Sequence, residues 1–352
     1  MQGVGLRDFG ELPTGEKVHA YRLANASGTS VEILSYGGII RALSVPDRVG
    51  RLEDVVLGFD RLEPYLGPHP YVGAIVGRIA GRVSAGCISA DGHSWSLDRN
   101  EGPNHLHGGR LGLDRRLWKI EPVSRSDGAP SVRLSYFSPD AEEGYPGNLR
   151  IKVTYTLTQD SSFIFESEAE SDRATPLSLT QHTYFNLAGE GSGSVLGHVV
   201  QILAREFVGT DANFTLSDHR QSVVGTGADL NQPRRLGDAL PGIFKAHGDP
   251  YLLRDVSEGL PLNPTLAARV HEPESGRLVE VFTNEECLQF YTGVGLDGSL
   301  VGKSGKPYGA HAGLCLECEG YPNASRLQGF GDIIVRPGSV QHRRTIYAFS
   351  AV

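Results

Sequence analysis

"LRIKVTYTLTQDSSFIFESEAES", residues 149–171, decides the fold class. Val153, Tyr155 and Leu157 alternate with Lys152, Thr154 and Thr156, the two-residue period of a strand with one face buried. "TQDSS" supplies the polar residues of a hairpin turn, and "SFIFESEAES" then begins a second strand. Similar β-rich runs recur along the chain: "SVEILSY" (30–36), "EDVVLGF" (53–59), "SVRLSYF" (131–137), "LVEVFTN" (278–284), "LQFYTG" (288–293), "GDIIVRPG" (331–338) and "RRTIYAFSAV" (343–352). The 45 glycines and 20 prolines punctuate these runs, and "DRLEPYLG" (60–67) is at most a short turn of helix. Many strands and almost no amphipathic helix predict an all-β sandwich or barrel. No repeat of 20–50 residues is present, which argues against a propeller or solenoid. A single domain over 1–352 is expected.

The bulk numbers narrow the function classes. With 39% hydrophobic and 21% charged residues the composition is that of an ordinary soluble protein. A net charge of −8 and the lack of a basic run argue against nucleic acid or anionic lipid as partner. The opening "MQGVGLRDFGELPTGEKV" has no apolar core of a signal peptide, and no stretch approaches the roughly 20 apolar residues of a membrane span. Cys87, Cys287, Cys315 and Cys318 then read as reduced thiols, and a cytoplasmic location is expected. Cys315 and Cys318 form a C-x-x-C, but in the strand-like "GLCLECEG" an offset of three sends the thiols to opposite faces. No metal site is expected.

Four segments carry side chains suited to chemistry. In "TQHTYFN" (180–186), Thr180, His182, Tyr184 and Asn186 fall on one side of a strand, either a solvated face or the wall of a polar pocket. "GRIAGRV" (77–83) and "NHLHGG" (104–109) place Arg78 and Arg82 near a loop of histidines and glycines. Arginine's fixed planar donors suit a polyhydroxylated ligand, though a turn carrying surface arginines is the plainer account. Asp249 in "HGDPYLL" (247–253) stands before a proline, as turn aspartates often do. In "LCLECEGYPNAS" (314–325), Glu317 and Glu319 sit two apart in a strand-like run. A carboxylate in the body of a strand is disfavoured, so it either faces solvent at an edge or has a partner or a task. Nucleotide, zinc and nucleophile-elbow motifs are absent. Histidine, carboxylates, arginine and amides suit proton transfer on a neutral polar molecule, or its binding without catalysis.

Taken in order, "GELPTGEKV", "DVVLGFD", "YVGAIVGRIAGRV", "NHLHGG", "SPDAEEGYPGNL", "VTYTL", "LTQHTYFNLAG", "QFYTG", "LECEGYPNA" and "VRPG" resemble the aldose 1-epimerases, also called galactose mutarotases, nearly end to end. The resemblance implies a large antiparallel β-supersandwich. It implies interconversion of α and β anomers of free hexoses such as galactose and glucose, with no cofactor. By position in these motifs, His182 matches the general acid and Glu317 the general base, while Arg82, His107, Asp249 and Gln289 match residues that hold sugar hydroxyls. His182 would need its charged form favoured, by Asp249 or Glu317 nearby. The partner is a small aldose, and a monomer is expected.

The chain departs from the family pattern at Gly81, Val294, Gly295, Glu319, Gly320 and Asn323. A carboxylate at 319 sharing the pocket of Glu317 would raise the pKa of that base by like-charge repulsion. Two other function classes remain: a non-catalytic carbohydrate-binding protein on the same frame, and a glycosidase using Asp249 and Glu317 as flanking carboxylates.

Overall fold

The computed structural model describes residues 5–243, 248–256 and 259–352, so the first four residues of the N-terminal reading and His247 of "HGDPYLL" lie outside the described residues. The hairpin read from residues 149–171 forms as expected. Strands Leu149–Leu157 and Ser162–Ser171 pair antiparallel, from Leu149 opposite Ser171 to Leu157 opposite Phe163. Val153, Tyr155, Phe163 and Phe165 are buried. On the outer face Lys152 stands opposite Glu168 and Arg150 opposite Glu170, opposite charges in cross-strand register.

This hairpin supplies the third and fourth strands of a nine-stranded antiparallel sheet, bounded by Lys119–Val123 at one edge and Arg234–Arg235 at the other. A second sheet of six strands runs in the order Tyr184–Phe185, Leu314–Glu319, Cys287–Tyr291, Asp249–Leu252, Glu206–Thr210, Leu216–Ser222. Leu314, Leu316, Cys318, Leu288 and Phe290 of the second sheet join Val153, Tyr155, Phe163, Phe165 and Tyr347 of the first in one core. Tyr347 Oη donates to the Leu316 carbonyl across it at 3.2 Å. Two sheets closing on one apolar layer make the expected sandwich. A five-stranded antiparallel meander, Gly5–Glu11 to Leu52–Asp54, adds a third sheet.

Several readings change, and "GDIIVRPG" is a strand only at Ile334–Val335. "EDVVLGF" is a strand only to Asp54; Val55, Val56 and Leu57 are fully buried but tied by single bonds, such as Leu57 N–H to the Tyr184 carbonyl at 2.9 Å. Leu236–Ile243 is an eight-residue helix that no sequence signal announced, with Pro241 inside it.

The strand that carries the carboxylates, Leu314–Glu319, lies between two neighbours and is buried at every residue. It is therefore not an exposed edge. Leu314, Leu316 and Cys318 face the sandwich core, so Cys315, Glu317 and Glu319 point to the other side of the sheet. Cys315 and Cys318 fall on opposite faces as read, and all four cysteines are free.

Candidate active site

The segment quoted as "TQHTYFN" is not one continuous strand. Thr180–Gln181 pairs with Ile75–Val76, and Tyr184–Phe185 pairs with Leu314–Cys315. His182 lies where the chain leaves one partner for the next. Its backbone is held by Gly73 and Ala74: the Gly73 N–H donates to the His182 carbonyl and the His182 N–H to the Ala74 carbonyl, each at 2.9 Å. Residues 177–187 are all buried, so neither side is solvated. Of the four residues expected to share a polar wall, His182 and Tyr184 line a cavity, whereas Asn186 turns its amide to the carbonyls of Gly193 and Ala312.

That cavity holds about 240 Å³ and is lined by Arg82, His107, His182, Gln289 and Glu317, with Tyr71, Glu101, Tyr184 and Tyr291 among their neighbours. Five of the six residues singled out in the sequence therefore surround one space. Asp249 is buried beside it, between Gly248 and Pro250, which do line it. Sheet register explains the grouping: Gln289 stands directly opposite Glu317 on one side and Pro250 on the other. Gly248, with φ of +78°, itself packs close to Gln289, where a Cβ would lie 2.9 Å from the amide nitrogen.

His182 Nε2 is 3.6 Å from Glu317 Oε2, and both side chains are almost wholly buried. His182 Nδ1 lies 3.6 Å from Cys315 Sγ, and its own main-chain carbonyl also favours a proton on the ring. The neutral ring keeps one N–H, and Nε2 is the nitrogen that faces the carboxyl. Burial lowers the His182 pKa to about 3 and raises that of Glu317 to about 8. Around neutral pH the empty pair is thus a carboxylic acid and an imidazole with one labile proton between them. Contrary to the expectation that Asp249 or Glu317 would favour the charged form of His182, burial first and then His69 and Arg82 act against it.

Glu319 is also buried, and neither of its oxygens has a hydrogen-bond partner among the described residues. Burial and the charge of Glu317 push its pKa well up, so the like-charge effect acts on Glu319, while Glu317 is raised by burial itself. A Cβ at Gly81, whose φ is +74°, would come within 3.0 Å of Glu319 Oε1 and 2.6 Å of Pro322 Cγ. The departures at 81 and 319 thus touch each other.

The two arginines of "GRIAGRV" separate. Arg78 is buried and donates to Ser138 Oγ, Thr175 Oγ1 and the carbonyls of Ser138, Pro139, Pro146 and Gly147. It is neither a ligand clamp nor a surface residue; it ties loops together. Arg82 reaches the cavity and is gripped by Glu101 through two bonds of 2.6 Å, with its guanidinium 5.6 Å from the Phe214 ring. Glu101, Phe214 and Tyr71 were not singled out, because only the fold brings them to Arg82 and His182.

His107, His182 and Glu317 lie near enough to surround an ion, their ligand atoms within 4.8 Å of one another. The Gly81 N–H, however, donates to His107 Nδ1 at 3.1 Å, so the other ring nitrogen carries the proton. His107 therefore offers the cavity a donor rather than a free lone pair, and the group suits a hydroxylated molecule better than a cation.

The family model described as Aldose 1-epimerase matches residues 19–348. The galactose mutarotase of Bos taurus is 42% identical over 345 residues, covering 97% of each chain. The aldose 1-epimerase of Escherichia coli (strain K12) is 32% identical over 346 residues, covering 96% of this chain and 97% of its own. Among solved structures, an aldose epimerase homologue from C. elegans superposes with a TM-score of 0.84 at 29% identity, covering 95% of this chain and 99% of that one.

Proposed function

The chain belongs to the aldose 1-epimerase family, and we propose that its cavity interconverts the anomers of a free aldose by moving one proton through Glu317 and His182. The reaction opens a hemiacetal, turns the carbonyl carbon about C1–C2, and closes the ring on the other face. Opening needs a base for the O1 proton and an acid for O5 together. The carboxylate of Glu317 takes the O1 proton as the C1–O5 bond breaks and the C1 carbonyl forms, while His182 gives its proton to O5. Closure runs the two transfers backwards. Each transfer contributes about 10²–10⁴-fold.

The observation that carries this reading is the buried His182–Glu317 pair at 3.6 Å opening on the cavity. Such a pair holds a single labile proton over a wide pH range. It can present that proton on either partner, as a reaction with symmetric opening and closing steps requires. Arg82, fixed by Glu101, and His107, fixed by the Gly81 N–H, are preset donors for sugar hydroxyls, with Gln289 also on the lining and Asp249 buried beside it. Galactose and glucose are the substrates proposed, the whole chain acting as one domain and as a monomer. The glycosidase alternative is not supported, because Asp249 is not on the cavity lining and Glu101 is engaged by Arg82.

Polarimetry on freshly dissolved α-D-galactose and α-D-glucose tests the proposal. The protein should speed the approach to anomeric equilibrium, and Glu317→Gln and His182→Asn should lose that while still binding sugar. A protein that binds galactose yet leaves the spontaneous rate unchanged would be a sugar-binding protein on this frame.

A further inference from the structure

Two aromatic rings stack against His182. Tyr71 is nearly parallel to the imidazole, with centroids 5.8 Å apart and planes at 28°. Tyr184 stacks against it too, at 5.1 Å and 29°. Tyr71 also meets His107 edge-on at 4.5 Å. The placement of Tyr71 is tightly determined. Its φ of +56° is one that residues with a side chain rarely adopt. The surrounding turn is fastened by the Tyr71 N–H to the His69 carbonyl, by Gly73 and Ala74 to the His182 backbone, and by Tyr184 Oη to the Pro70 carbonyl at 3.0 Å. The bonds that hold His182 in place are therefore the same ones that hold the ring against it.

The other groups facing His182 are Glu317 and Cys315 from strand Leu314–Glu319, Arg82 and His107 from the wall opposite, and His69 from the turn that carries Tyr71. Glu317 alone among them brings negative charge, while Arg82 and His69 oppose a proton on the ring. Before ring opening His182 must hold the shared proton against burial, Arg82 and His69. Besides the Glu317 carboxylate, the rings of Tyr71 and Tyr184 lie against that charged imidazole. The face of an aromatic ring carries the negative part of its quadrupole and attracts a cation within about 6 Å of the centroid, most strongly where water is excluded.

We propose that Tyr71 is a positioning residue of the reaction, forming with Tyr184 an aromatic clamp that stabilises His182 as an imidazolium while it carries the proton. This rests on the reading of His182 as the proton carrier. The phenol itself takes no part: burial pushes its ionisation far up and it stays neutral.

The test varies the ring's electrons without its shape. Tyr71→Phe supplies the reference ring, without the hydroxyl. Phenylalanines bearing one, two and three fluorines, placed at 71, should lower log kcat stepwise relative to that reference, to about tenfold at three, with KM little changed. A flat series overturns the proposal. The 15N shifts of His182 in the same series, followed without sugar through the acid range in which the ring titrates, should show its pKa falling step by step, and a pKa that does not move contradicts the clamp. If the parent fails to accelerate anomerisation, the mutarotase reading fails by itself, and the 15N series still decides the role of the ring.

Discussion

The two ends of Gly77–Val83 use the same side chain for opposite purposes. Arg78 is sunk among loop carbonyls and hydroxyls, with six acceptor atoms for its guanidinium and burial lowering its pKa to about 10. Arg82, four residues on, has a carboxylate behind it and the cavity in front. Nothing in the seven residues distinguishes them. Partners far along the chain do: residues 138–147 and 175 for the first, Glu101 and Phe214 for the second. An arginine satisfied only by neutral dipoles organises backbone, whereas one held by a single anion keeps donors to spare for a ligand.

The largest expected effect of breaking this contrast is on stability. Arg78→Met leaves several buried acceptors unmet and should cost about 4 kcal/mol or more in urea unfolding. The kcat of the folded fraction should change little. Arg82→Met should do the reverse, lowering kcat/KM about 10²-fold in the polarimetric assay with stability changed by about 1 kcal/mol or less. Glu101→Gln keeps the shape but loosens the grip on Arg82, and a smaller drop of about tenfold, chiefly in KM, is expected. If Glu101→Gln matched Arg82→Met, the glutamate would be touching substrate itself.

A similar contrast separates the two sheets and explains what the sequence made legible. In Leu149–Leu157 and Ser162–Ser171 one face meets water, so polar and apolar residues alternate and the strands can be read directly. Leu314–Glu319 is covered on both sides, so its burial does not alternate, and its carboxylates look merely anomalous. Their meaning came from motif resemblance, not from periodicity. Residue chemistry marked the segments of Arg82, His107, His182 and Glu317 as candidates, but their roles, and Gln289 altogether, came from that resemblance. Tyr71 and Glu101 escaped because their roles consist of contacts across the fold. The short helix Leu236–Ile243 escaped because Pro241 interrupts any helical signal.

The buried carboxyl of Glu317 gives a further, pH-dependent prediction. Its pKa rises from an ordinary carboxyl value near 4.5 to about 8 on folding, so the folded chain binds the proton more tightly. The stabilisation is complete below about pH 4.5 and is lost as pH rises through 8. Glu317→Gln lacks that loss. Its stability relative to the parent should climb between pH 4.5 and 8, by up to about 5 kcal/mol at roughly 1.4 per unit. Thermal or urea unfolding of both proteins across that range measures it. A constant difference would mean that Glu317 is not shielded from water.

The central claim is that Glu317 and His182 act as one unit sharing one proton. A double-variant cycle in the polarimetric assay addresses it most directly, comparing Glu317→Gln, His182→Asn and the two combined. Each single change should cost about 10²–10⁴-fold in kcat/KM, and the double variant should be no slower than the slower single. Losses that multiply in the double variant would show two independent contributions and contradict the shared-proton account.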